Sequence, residues 1–219
     1  MAAEAGGKMS SREVMRVPGV LWLLAVAFIA QFGFFAFQSV YVLWAERLVF
    51  HNLPEAAGQQ AIGAILTFVG LCSIATQFWL IGPLVRRFGE RSLVFGGFLS
   101  RTLAFAIMAA LPTVATSIIA VPFLAIGGGV ALPALIAVMT YAAPPGGRGQ
   151  VIGLQQSAAA MGSIAGPIIS GFLYESVHPN ASMVFATAMM GVAVIVAANI
   201  FRLPIPTGGQ AVRSPARSG

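Results

Sequence analysis

Six long apolar stretches, at residues 17–45, 61–85, 92–111, 113–143, 150–174 and 182–201, fill most of this 219-residue chain. Each reaches the twenty or so helical residues needed to cross the ~30 Å hydrocarbon core of a bilayer. In lipid, backbone N–H and C=O groups must be satisfied internally, by helices or by a closed barrel. These runs are continuous rather than alternating, which predicts helices and argues against a barrel. The basic residues orient them. Lys8, Arg12 and Arg16 precede the first stretch, and Arg86, Arg87 and Arg91 separate the second from the third. Arg148 separates the fourth from the fifth, and Arg202, Arg213 and Arg217 follow the sixth. The alternate gaps hold only Arg47. Basic loops stay cytoplasmic, so the pattern predicts six spans with both termini inside.

Composition agrees. Hydrophobic residues make up 58% of the chain and charged residues 8%, too little charge to cover a soluble protein of this size. The net charge of +6 sits at span ends rather than on one face, so the expected partner is the lipid bilayer and not nucleic acid. Cys72 is alone and mid-span, supporting neither a disulfide framework nor a metal site. There is no Asp, no Cys/His cluster and no nucleophile–base pair, so neither an enzyme nor a cofactor is expected. The first stretch exceeds a signal-peptide core and reads as a retained span. The expected organisation is a cytoplasmic tail at 1–16, a six-span all-α bundle at 17–203, and a disordered cytoplasmic tail at 204–219.

Punctuation between and within the spans is specific. Pro112 leaves almost no loop between spans three and four, and Pro144-Pro145-Gly146-Gly147 breaks the chain on the inner side. The gap 46–60, the longest, is expected to be an outer loop. Span four holds Pro122, Gly127-Gly128-Gly129 and Pro133, which predicts a kinked or locally unwound helix, lining a path or merely tilted. In span five Ala158, Gly162, Gly166 and Ser170 recur every four residues, placing a small-residue face for close helix packing or for sliding, with Pro167 expected to bend the helix. Gly89 can supply the positive φ of a tight corner between spans two and three.

That corner, Gly82-Pro83-Leu84-Val85-Arg86-Arg87-Phe88-Gly89-Glu90-Arg91, resembles the signature loop of the major facilitator superfamily, with Arg86 where that pattern has Asp. Val42-Leu43-Trp44-Ala45-Glu46-Arg47 resembles the end of the seventh helix in the tetracycline-efflux branch of drug/proton antiporters. The segment from Gly129 to Ala134 is similar to that branch's tenth helix, and Gly149-Gln150 through Gly166-Pro167 to Tyr174 to its eleventh. The resemblance runs over roughly 18–201 and implies the C-terminal six-helix bundle of a twelve-span transporter. It implies export of a small-molecule substrate by alternating access, driven by protons, from a bacterial inner (plasma) membrane. On this resemblance Gly82, Arg87, Gly89, Arg91, Gly162, Gly166 and Pro167 are structural or gating positions. The alternative is a truncated or split, non-transporting membrane protein that assembles with a first-half partner, or as a homodimer with a second copy. Eleven Arg against one Lys is compatible with a GC-rich bacterial genome.

Polar side chains inside a bilayer are costly and mark candidate site residues. Gln31 and Gln38 lie seven apart on span one, hence on one face, with Phe34, Phe35 and Tyr41 near it. They form either a cavity wall or interhelical hydrogen bonds. In the family the seventh and tenth helices line the central cavity, which favours the wall, and Gln31 falls where the tetracycline-efflux pattern has a glutamine. Arg101 lies mid-span, where insertion scales assign a central Arg a cost of about 2.5–3.5 kcal/mol. Ser100, Thr102, backbone carbonyls or water are its expected partners. Tetracycline pumps carry an acid at this position, so the resemblance leaves that coupling route in doubt, and Arg101 is either a substrate contact or a structural residue. The substrate-binding candidates are therefore Gln31, Phe35, Gln38, Tyr41 and Arg101.

Overall fold

The computed structural model describes residues 13–202 except 14, 18 and 145. Most of both expected tails, including Lys8, Arg12, Arg213 and Arg217, and Pro145 of the inner break, lie outside the described residues. Helix α1 spans Val20–Trp44 and ends in a π-helical turn, Ala45–Val49. Helix α2, Glu55–Ala75, continues through a second π turn, Thr76–Leu80, into α3, Ile81–Ala110. Then follow α4, Val114–Ala142; α5, Arg148–Ser176; and α6, Pro179–Ala198, which closes in a 3₁₀ turn, Asn199–Arg202.

Five helical runs are long and apolar enough to cross a membrane, where the sequence predicts six. The difference lies in Glu55–Ala110, a run of 56 residues. A straight helix of that length would extend over roughly 80 Å, more than twice the hydrocarbon core. It is not straight. Gly89 has φ 76° and ψ 159°, a non-helical conformation open essentially to glycine alone, and it breaks the run at the corner where the charged residues cluster.

Other boundaries shift for local reasons. The expected outer loop at 46–60 is largely helical, because the π turn carries the chain to Val49 and α2 begins at Glu55. The loop shrinks to a few residues around Asn52. Helix α4 runs as one α-helix through Pro122, the three glycines and Pro133, so the expected unwinding is absent. Neighbouring helices packed against those glycines hold the backbone helical. Helix α5 likewise continues through Pro167. The α3–α4 hairpin is as tight as Pro112 implies, and Thr113 and Thr116 form a capping box at the start of α4. The inner break is also present: α4 ends at Ala142, Gly146 takes φ 79° and α5 starts at Arg148.

Helix α1 is central, packed along α5 and α6; α3 packs along α4 and α6; α2 leans on α4 at the edge. The small-residue face of α5 does what its spacing predicts. A Cβ added at Gly162 would come within 2.8 Å of the Phe32 nitrogen, and one at Gly166 within 2.7 Å of the Phe32 carbonyl oxygen. Two turns of α5 therefore lie directly on the backbone of α1, and Ser170 Oγ donates to the Ala36 carbonyl at 2.7 Å. Without a hydrophobic drive between helices in lipid, such dispersion and hydrogen-bond contacts supply the association. At the start of α6 Asn180 ties three helices. It accepts from Trp44 Nε1 at 3.1 Å and donates to the Ala109 carbonyl at 2.8 Å.

Candidate functional site

A cavity of about 430 Å³ opens among α1, α2, α3 and α4. Helix α1 supplies Phe34, Gln38 and Tyr41 from one face, at the i, i+4, i+7 spacing that the sequence pattern singles out. Helix α2 supplies Leu66, Val69 and Ser73, α3 supplies Arg101, and α4 supplies Leu124 and Gly128. The wall is mostly apolar and aromatic with a few polar groups, the usual make-up of a small-molecule site.

Arg101 is the only charged residue in this lining, and its side chain is 5% exposed. Its guanidinium carbon lies 4.5 Å from the centroid of the Phe34 ring, a cation–π contact across the α1–α3 gap. Its Nε and Nη1 are buried without a hydrogen-bond partner. The expected partners on α3 bond elsewhere: Ser100 Oγ donates to the Phe123 carbonyl at 2.8 Å, and Thr102 Oγ1 to the Phe98 carbonyl at 2.9 Å. In each case a backbone carbonyl within reach takes the hydroxyl proton, the usual fate of Ser and Thr inside membrane helices.

The glycine triplet of α4 makes room for this arginine. A Cβ at Gly127 would lie 2.8 Å from Arg101 Cγ, and a Cβ at Gly128 would lie 3.3 Å from its Nη2. Gly129 presses on Thr76 of the π turn, with 2.8 Å to its Cβ. The triplet is thus a contact surface for α2 and α3, where sequence reasoning reads a kink that either lines a path or merely tilts the helix. Phe37 and Ser73 are lining residues that the sequence analysis does not single out. The signal for Ser73 was present: Leu66, Val69, Gly70 and Ser73 follow one helical face of α2.

The remaining candidates fall outside the cavity. Gln31 is half-buried with its Oε1 unpartnered, and Phe35 stands edge-on to Phe34 at 5.5 Å between centroids. Neither belongs to the cavity wall. Gln155 on α5 is also buried with an unpartnered Oε1. Gly82 and Arg87 are exposed, and Arg87 stacks over Phe88 at 5.5 Å; Arg91 is half-buried beside the Gly89 break. Gly162 and Gly166 are buried in the α1–α5 crossing, with Pro167 half-buried next to them.

The comparisons with known proteins agree with this architecture. The chain is 28% identical over 187 residues to the class D tetracycline resistance protein of Salmonella ordonez, covering 84% of this chain and 45% of that protein. It is 29% identical over 157 residues to the class B tetracycline resistance protein of Escherichia coli, covering 72% of this chain and 37% of that protein. The chain thus spans less than half the length of these relatives. A crystal structure of the peptide transporter POT in complex with sulfate shares the fold, with a TM-score of 0.73 at 17% identity over 89% of this chain and 42% of that one. The family model of the Major Facilitator Superfamily matches residues 23–218, and with the apolar helices and their packing it places this chain in that superfamily of multi-pass membrane proteins.

Proposed function

We propose that the chain forms one six-crossing bundle of an exporter, with the break at Gly89 dividing Glu55–Ala110 into two crossings and both termini cytoplasmic. Such a bundle moves a small molecule across a bacterial inner membrane by rocking against a second bundle, and a proton gradient drives it. The observation that carries this reading is the cavity itself. It holds a buried charge and an amide among apolar helices, in a chain similar to efflux proteins over most of its length. Polar groups inside a bilayer are costly and persist where they meet a substrate or ion. Gln38, Tyr41 and Arg101 act as substrate contacts, and Gln31 and Phe35 lie on the same helix toward the second bundle. The corner at Gly82, Arg87, Gly89 and Arg91 holds the cytoplasmic surface, while Gly162, Gly166 and Pro167 hold α5 to α1 as the bundle moves.

A second reading is that this chain does not transport alone. On this reading a first-half bundle or a second copy supplies the other half of the fold. Reconstitution tests both. The purified chain is placed in liposomes alone and together with a first-half bundle, an inward pH gradient is imposed, and its dissipation on adding each member of a small-molecule panel is followed by a pH-sensitive dye. Substrate-dependent dissipation in the combined vesicles only assigns the chain as a subunit. Dissipation by the chain alone assigns a homo-oligomer. No response in either arrangement refutes the carrier reading.

A further inference from the structure

Arg101 is buried mid-membrane with two N–H-bearing nitrogens unsatisfied, and among the described residues no carboxylate pairs with it. A buried guanidinium left in this condition is costly, and the cost falls when an acceptor, best of all an anionic one, reaches it. Among the described residues none supplies that acceptor nearby. Glu46, Glu55, Glu90 and Glu175 lie at or near helix ends, far along the helices from the middle of the bundle. The hydroxyls beside Arg101 are taken by carbonyls. Phe34 holds the guanidinium by a cation–π contact at 4.5 Å, which offers its N–H groups no carboxylate or amide acceptor. The glycine at 128 adds no Cβ next to Nη2, where one would lie 3.3 Å from that nitrogen and 3.5 Å from the Ser73 hydroxyl.

From this arrangement we infer that the cavity binds a small organic anion, a carboxylate on a flat apolar body. The carboxylate pairs with Arg101, and the body lies between Phe37 and Tyr41 on one side and Leu66 and Leu124 on the other. Planar carboxylates match the guanidinium fork, and the apolar body replaces water against the aromatic and aliphatic wall. The cavity of about 430 Å³ suits a molecule of one or two rings. A cation in the same place would face the only charge in the lining, of its own sign. The inference deepens the transport reading, on which it rests for the ligand's role as cargo, by naming the charge class of that cargo.

The test is a binding measurement that needs no transport. The chain, purified in lipid nanodiscs, is titrated with 2-naphthoate, 2-naphthamide and 2-naphthylmethylammonium, following the probe's fluorescence. Naphthoate binds saturably, and roughly tenfold or more tighter than the amide, the ratio expected of a charge-assisted hydrogen bond over a neutral one. The ammonium probe does not compete. Arg101→Gln abolishes the preference for naphthoate. Gly70→Leu, at a lining position where an added Cβ meets nothing within 4 Å, keeps the fold and weakens all binding. Equal binding of all three probes, no saturable naphthoate binding, or an unchanged preference in Arg101→Gln overturns the inference. The probe series on the unaltered chain decides the matter even if Arg101→Gln does not fold. Naphthoate binding without any response in the liposome assay would leave this site standing and sink the transport reading. Gradient dissipation by cations without naphthoate binding would do the reverse.

Discussion

Replacing Gly166 by alanine puts a methyl group where α5 already touches the backbone of α1. The added Cβ would sit 2.7 Å from the Phe32 carbonyl oxygen and 2.8 Å from the Ala36 nitrogen. Ordinary carbon–oxygen contacts begin about half an ångström further out, so the two helices must part by about that much over the crossing. A gap of ~0.5–1 Å forfeits a quarter to a half of each dispersion contact along it. Overpacking of this kind costs about 1–3 kcal/mol. The same separation stretches the 2.7 Å bond from Ser170 to the Ala36 carbonyl, one turn away, which contributes on the order of 1 kcal/mol. Alanine gains up to ~1 kcal/mol over glycine in helix propensity, which partly offsets the loss. The net expectation is a destabilisation of about 1–3 kcal/mol. Gly171→Ala, five residues along the same helix, is the control, because a Cβ there meets nothing within 4 Å. It carries the propensity gain without the clash. Thermal unfolding of both variants in detergent, read by the fraction surviving size-exclusion after heating, gives the comparison. Equal midpoints for Gly166→Ala and Gly171→Ala would refute the close α1–α5 contact.

Further expectations follow from other contacts. Gly89→Ala forces a side chain into a φ 76°, ψ 159° conformation and should cost ~1–3 kcal/mol, whereas Gly82→Ala, helical and in open space, should gain up to ~1 kcal/mol in the same heating assay. Asn180→Ala removes the acceptor of fully buried Trp44 and one bond to Ala109, and should lower stability by about 1–3 kcal/mol; Asn180→Asp, keeping the acceptor, should recover part of it in thermal unfolding. In a Cys72→Ser background, Arg86→Cys should react with an impermeant maleimide only from the cytoplasmic side and His51→Cys only from outside; labelling of both from one side would refute the six-crossing arrangement. Ser170→Ala, which keeps the size of the small face but loses its hydroxyl, should cost on the order of 1 kcal/mol by the same unfolding measurement.

Much of this molecule was legible because lipid allows so few backbone solutions. A run such as 113–143 had to be helical whatever its neighbours, since its N–H and C=O groups have no other partner. The corner at Gly89 was legible for a similarly local reason: its φ and ψ are open to glycine and strained for other residues. The four-residue spacing from Ala158 to Ser170 named a packing face on its own, because helix geometry stacks those positions. What it packed on was not in the spacing. The choice of α1, at 2.7–2.9 Å from its backbone, is a matter of how six cylinders cross.

The site divides in the same way. The sequence by itself determined that Arg101 stands mid-span without an acid in the stretch 92–111, and that Gln38 and Tyr41 share the Gln31 side of α1. Only the tertiary structure decided that Arg101 meets Phe34 and the glycines of α4, that Gln38 and Tyr41 face the cavity while Gln31 and Phe35 do not, and that Ser100 and Thr102 are spent on carbonyls. The physical reason is that helix period places residues on a face to within a turn, while rotation and crossing angle are set by the side chains of other helices. In this chain the closest crossings are made by glycines, at Gly97, Gly127, Gly129, Gly162 and Gly166. Their smallness lets the helices approach until backbone meets backbone, and that approach leaves the Arg101 guanidinium at the edge of a cavity with no carboxylate partner among the described residues.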